Sequence, residues 1–201
     1  MFPLTLDVTD ASAVEASIAS LPPGWSGIDI LVNNAGLSRA MDPVHRNRVD
    51  DIDKMIDTNV KGLLYVTRAV VPGMLERGRG HVVNIGSIAG QGLYPGGTVY
   101  CASKHAVDAI TKGLKIDLHG TPIRVSTVDP GLVETEFSLV RFDGDADRAA
   151  AVYRGMSPLA GDDVAEAVLF CVTRPRHVNI GQIVLTSVDQ SSLTMVHRSD
   201  Q

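Results

Sequence analysis

The sequence predicts an α/β fold, a doubly wound parallel sheet with helices on both faces. Three observations predict it. Short Val- and Ile-rich runs alternate with longer stretches of helical period. Each run is bounded by Gly, Pro or Asn, as a buried strand is. The 201 residues suit one such domain with a sizeable core.

The elements follow in order. TDASAVEASIASL reads as a first helix, with Ser12 and Glu15 at capping-box spacing. IDILVN (28–33) reads as a strand. A long helix is expected from about Ile52 to Glu76, where Ile52, Met55, Ile56, Val60, Leu63 and Leu64 recur at helical spacing. HVVNIG (81–86) is the next strand. A helix starts near Tyr100 and carries Ala106, Val107, Ile110 and Leu114. IRVSTVD (123–129) is a strand, and DDVAEAVLFCVT a helix with Asp162 or Asp163 as N-cap. QIVLTS (182–187) is the last strand. The polar tail 189–201 is expected to fray. Residues 1–201 are read as a single domain.

Composition narrows the function. Hydrophobic residues make up 44% and charged residues 20%, and the net charge is −5. No broad basic surface recommends nucleic acid. No apolar run approaches the roughly 20 residues that cross a bilayer, and MFPLTLDVTD has no signal-peptide pattern. Cys101 and Cys171 lack CxxC or metal-ligand spacing, which fits a reducing, cytoplasmic setting. The six histidines show no spacing that suggests a metal.

Ligands in such sheets sit beyond the carboxyl ends of the strands. Three strand ends carry informative residues there: Asn33-Asn34-Ala35-Gly36, Gly86-Ser87 and Asp129-Pro130-Gly131. Tyr100 and Lys104 lie four apart, so one helix face carries both. A free phenol titrates near 10, and an ammonium beside it favours the phenolate. Tyr100 then suits proton exchange with an alcohol or carbonyl oxygen, with Ser87 orienting that oxygen. The plainer alternative is a tyrosine that packs its ring and a solvated lysine; Ser87 beyond a buried strand weighs against it.

These residues resemble the short-chain dehydrogenase/reductase family. LDVTD (6–10), NNAG (33–36), the Asn59 of DTNVKG, Ser87, YCASK (100–104) and PGLVET (130–135) stand in its order and spacing. The stretches IDTNVKGLLYVTRAVVPGM, DLHGT, FSLVRF and RHVNI are similar to those of bacterial NADP-dependent 3-hydroxy acid dehydrogenases, which oxidise serine and related hydroxy acids. The resemblance implies a Rossmann-like sheet and hydride transfer between NADP, or NAD, and a small hydroxy acid. It makes Tyr100 the acid/base and Ser87 the substrate-oxygen ligand. Lys104 would lower the tyrosine's pKa and bind the nicotinamide ribose, and Asn59 would hold a water leading to Lys104. Asn33, Ala35 and Gly36 would line the cofactor, and Asp7 and Val8 would touch adenine. Pro130, Gly131, Val133 and Thr135 would meet the carboxamide. Residues 135–160 would form a substrate lid. The two long helices, 52–76 and 100–119, would pair in a homodimer or homotetramer.

Three further expectations concern the rest of the site. No glycine-rich strand–turn–helix stands before LDVTD, and GQGLYPGG (90–97) follows the wrong strand to be one. The chain is therefore read as shortened at its N-terminus, lacking the first strands and helices. It is expected to expose an edge at IDILVN, to bind dinucleotide poorly and to be prone to aggregation. That leaves open a non-catalytic or regulatory homologue, and a reductase for a bulkier ketone, as alternatives. Finally, Arg141 is a candidate clamp for a substrate carboxylate, with pairing to Asp143 or Asp145 as the alternative; Arg39 is a second candidate.

Overall fold

The computed structural model describes residues 1–199. The last two positions of the expected fraying tail, 200 and 201, lie outside the described residues. Four parallel strands, β1 (Ile30–Asn33), β2 (Gly80–Ile85), β3 (Ile123–Pro130) and β4 (Gln182–Leu185), lie side by side in chain order. Val82 faces Val125 in register, and Val83 faces Ser126. Neighbouring strand positions point to opposite faces, so the sheet feeds two cores.

On one face, Val82 and Val125 pack with Val70, Val71 and Met74 of α3 (Leu63–Glu76), with Leu114 of α4 (Thr98–Asp117), and with Ile18 of α1 (Ala11–Ala19). On the other, Val83 and Val128 pack with Val164, Val168 and Cys171 of α7 (Gly161–Val172). That cover ends short of β1, an edge strand whose Ile30 and Val32 stay exposed. The expected edge is therefore present. Leu4 to Val8 form no strand.

Four local expectations are corrected. Asp10, not Ser12, caps α1: its carboxylate accepts the Ala13 N–H at 2.9 Å. Asp10 stands one residue before the helix, where a side-chain oxygen reaches the orphan donors. The long helix is not uniform. α2 (Val49–Ile56) passes through a π-helical turn, Asp57–Gly62, into α3. Neither Asp162 nor Asp163 is the N-cap of α7. The helix opens after Ala160, and Asp163 reaches back to accept the Ala160 N–H at 2.7 Å.

Lastly, the described part of the tail does not fray. Gln190 is buried, and its Oε1 accepts the Leu132 N–H at 2.7 Å. The His197 N–H bonds the Asp189 carbonyl, and the Ser199 N–H bonds the Gly155 carbonyl. These bonds close the tail over the segment that follows β3.

His81 is buried on β2, with Nε2 2.7 Å from Ser126 Oγ and Nδ1 unpartnered. Burial, reinforced by the Arg124 cation, lowers its pKa from 6.5 to about 4. The unfolded chain therefore takes up the proton first. The stabilising effect is full above pH 6.5 and is lost as pH falls toward 4. The melting temperature of the wild type should drop across that window, and the drop should shrink in His81→Gln; equal slopes in both chains would contradict the assignment.

Candidate active site

A cavity of about 1130 Å³ opens beyond the carboxyl ends of the first three strands. Val32 and Asn34 line it from β1, Gly86 and Ser87 from β2, and Pro130 and Gly131 from β3. Helix α4 brings Tyr100 and Lys104 to the same space, and the segment after β3 adds Val133, Thr135 and Arg141. The cavity therefore gathers Ser87, from beyond β2, with Tyr100 and Lys104 of α4.

Ser87 begins a short 3₁₀ turn, Ile88–Gly90, where its Oγ accepts the Ala89 N–H at 3.1 Å. Tyr100 is 8% exposed, and its ring meets Phe137 edge-on with centroids 5.6 Å apart. Burial pushes its phenol up to about 12; the Arg141 guanidinium and the nearby Ser87 hydroxyl pull the other way. Lys104 is 7% exposed and donates to the Ile85 carbonyl at 2.9 Å. Burial lowers its pKa to about 8, against the favourable charge of Asp129.

This corrects the electrostatic expectation for the pair. The Lys104 ammonium lies 5.9 Å from the Tyr100 ring centroid and is directed at a carbonyl. The cation that draws on the phenol is Arg141, 5.5 Å from the ring. Helical spacing placed the two side chains on one face correctly but could not place the arginine.

Asn59 sits in the π turn, fully enclosed. Its Oδ1 accepts the Leu37 N–H, and its Nδ2 donates to the Leu37 carbonyl, both at 2.8 Å. Nδ2 also donates to Ser103 Oγ at 3.0 Å. Both amide protons are thus used, and the side chain clamps the loop after β1 to α4. Gly36 stands at this junction: a Cβ there would lie 3.4 Å from Asn59 Oδ1 and 3.6 Å from Lys104 Nζ. Gly86 is more constrained, since a Cβ would fall 1.9 Å from Asp129 Oδ1.

Of the other expected cofactor residues, Asn33, Ala35, Asp7 and Val8 lie outside the cavity lining. Asn33 points inward, donating to Thr67 Oγ1 at 3.0 Å and Asn84 Oδ1 at 2.9 Å. Its neighbours Val32 and Asn34 face the cavity instead, because alternate strand positions face opposite ways. Ala35 is exposed outside the lining. Asp7 is exposed and accepts hydrogen bonds from Thr9; Val8 packs against Gly62. Both stand outside the cavity. The Val133 carbonyl accepts from Tyr153 Oη at 2.8 Å, and Thr135 Oγ1 accepts the Phe137 N–H at 3.3 Å. The lid region holds α5 (Phe137–Arg141) and α6 (Ala146–Ala151).

Sequence reasoning missed Gln91 and Gln182, whose amides both donate to Asp129 Oδ2. It also missed Gln190 and Leu193 of the tail; Leu193 packs against the cluster holding Tyr100. The one available signal was an amide or apolar residue inside an otherwise polar segment. Among the described residues, no group of three His, Cys, Asp or Glu side chains is placed to hold a metal, and no helix is long and apolar enough to cross a membrane.

Comparison with known proteins follows the same lines. A family model described as short chain dehydrogenase matches residues 1–144. The NADP-dependent 3-hydroxy acid dehydrogenase YdfG of Salmonella typhi is 50% identical over 196 residues, covering 96% of this chain and 79% of that protein. The NADP-dependent 3-hydroxy acid dehydrogenase of Schizosaccharomyces pombe is 43% identical over 198 residues, covering 98% of this chain and 76% of its own length. The closed form of serine dehydrogenase complexed with NADP+ superposes with a TM-score of 0.92 at 51% identity, over 96% of this chain and 79% of that one.

The Asn59 clamp generates a stability prediction. Asn59→Leu strands the Leu37 N–H and carbonyl, so unfolding in urea should lose about 2–4 kcal/mol. A change under about 0.5 kcal/mol would show that the clamp carries no load.

Proposed function

The chain belongs to the short-chain dehydrogenase family, and on that premise we propose that it moves a hydride between NADP and a small hydroxy acid of the serine or 3-hydroxy acid class. The observation that carries the reading is the convergence of Ser87, Tyr100 and Lys104 on one cavity beyond the strand ends. NADP, rather than NAD, is favoured by the names of the relatives and by the NADP+ complex.

The residues present fit a nicotinamide nucleotide. Gly86 leaves backbone bare beside Asp129, where any Cβ would intrude, and Gly36 brings backbone close to Lys104. Gly36, Asn34, Pro130, Gly131, Val133 and Thr135 line the space it needs, and Lys104 supplies a buried ammonium for its ribose hydroxyls. Such a group supplies the acceptor and donor of hydride. The protein supplies the proton path. As the carbinol C–H bond breaks, Tyr100 Oη takes the proton of the substrate hydroxyl; in the reverse direction it returns that proton to the carbonyl oxygen. Ser87 Oγ holds the same oxygen. Lys104, with a pKa near 8, changes charge close to neutral pH and so can share the proton inventory of the pocket.

A homodimer or homotetramer built on α3 and α4 accompanies this reading. It is supported by apolar side chains left on their surfaces: Leu64 and Leu75 on α3, and Ile116, 74% exposed, on α4. A cytoplasmic setting is supported by the two free, buried cysteines.

The test is NADPH absorbance on mixing the chain with NADP+ and L-serine or 3-hydroxypropionate. Turnover should fall about 10³-fold or more in Tyr100→Phe, with NADP+ affinity kept, and about 10²-fold or more in Ser87→Ala. Tyr100→Phe turning over at the wild-type rate would sink the proposal.

A further inference from the structure

Arg141 ends α5 with its residue only 9% exposed and with no ion pair among the described residues. The acids that the sequence sets beside it are used elsewhere. Asp143 pairs with Arg39 at 2.5 Å. Asp145 accepts the Arg148 N–H at 3.0 Å and caps α6. The guanidinium carbon lies 4.9 Å from the Phe137 ring centre and 5.5 Å from that of Tyr100. Among the described residues its one polar partner is Tyr94 Oη, a long 3.5 Å from Nη2, and its buried Nε has none. Nη1 makes no hydrogen bond among the described residues. The backbone is held: the Arg141 carbonyl accepts the Ala40 N–H at 3.0 Å.

Among the described residues, the surrounding carboxylates do not pair with Arg141 either. A second cavity of about 170 Å³ touches the far side of Arg141, and Asp42, Asp51, Arg46, Arg48 and Arg148 share it. Among the described residues neither acid forms an ion pair with Arg141, and Asp143, which also lines this cavity, pairs with Arg39. In the large cavity, Glu136 is the one carboxylate among the described lining residues. Lys104 is directed at the Ile85 carbonyl, and Arg198 donates to the carbonyls of Arg154 and Val152.

Withdrawing a guanidinium from water costs several kcal/mol unless an anion and good hydrogen bonds offset it. Aromatic faces recover only a part. Arg141 therefore has a charge and planar donors to spare, beside the ring that carries the reacting hydroxyl. A single monovalent carboxylate matches one guanidinium in charge and fork geometry. We infer that Arg141, steadied by Tyr94 and Phe137, is the residue that grips the carboxylate of the hydroxy acid while Tyr100 and Ser87 hold its hydroxyl, making the site selective for acids over neutral alcohols. The hydroxyl half of this statement rests on the proposed hydride transfer; the carboxylate half does not.

The two halves separate in one experiment. In the full chain labelled with ¹⁵N-arginine, the Nε–Hε resonance of Arg141 is identified by its loss in Arg141→Lys. Propionate should shift that resonance to a plateau, and 1-propanol should leave it in place, because only the acid offers a partner to Nε and the Nη atoms. No shift with excess propionate, or an equal shift with 1-propanol, overturns the inference. The second arm compares kcat/KM for 3-hydroxypropionate with that for 1,3-propanediol. The preference for the acid should fall about 100-fold in Arg141→Met and return in part in Arg141→Lys. An unchanged preference in a folded Arg141→Met also overturns it. Should no substrate turn over, the hydride reading fails alone and the propionate titration still decides the role of Arg141.

Discussion

The side chain of Asn59 fastens together two parts of the chain that sequence separates widely. Three hydrogen bonds tie it to both backbone groups of Leu37 and to Ser103. Leu37 follows the turn at the end of β1; Ser103 lies between Tyr100 and Lys104 on α4. Ser103 Oγ in turn donates to the Tyr100 carbonyl at 2.7 Å. The bond pattern fixes how deep α4 sits against the β1 turn, and with it the distance from Gly36 to Lys104. A π turn makes this possible. It adds residues to one helical turn and rotates the chain, so Asn59 faces inward while Asp57 and Lys61 pair outside at 2.7 Å.

Once that junction is set, burial governs the chemistry. Tyr100 and Lys104 are both shifted toward their neutral forms, the phenol up to about 12 and the ammonium down to about 8. Desolvation is the leading cause in each case, and it disfavours charge of either sign. A phenol so placed holds its proton firmly. It therefore suits the acid role of carbonyl reduction, and the base role needs extra positive charge close by. The geometry offers one such charge beside the ring, the Arg141 guanidinium. Asp129, held by Thr127, Gln91 and Gln182, favours the charged form of Lys104.

Much of this could be read from the chain itself. Four apolar runs became four strands, because Val- and Ile-rich segments bounded by turn residues have few other ways to bury both faces. Strand ends marked the cavity, since a parallel sheet collects its loops at one edge. The four-residue spacing of Tyr100 and Lys104 needed only a helix. What escaped were contacts whose partners lie far apart in sequence. The inward turn of Asn33 depends on Thr67 and Asn84. Gln190 looked like tail until Leu132 gave its amide a partner. Arg141 lost Asp143 to Arg39, a residue about a hundred positions earlier. The π turn also left no signature, because its apolar spacing is close to that of an ordinary helix.

The account stands on Tyr100 Oη as the atom that exchanges the substrate proton. Replacing Tyr100 with a ring-fluorinated tyrosine lowers the pKa of that one group and leaves its shape nearly unchanged. In the pH profile of kcat/KM for hydroxy acid oxidation, the rising limb should move to lower pH by about the interval that fluorination lowers the free phenol. A limb that stays where it was, with the fluorinated chain still active, would assign the proton to another group and contradict the account.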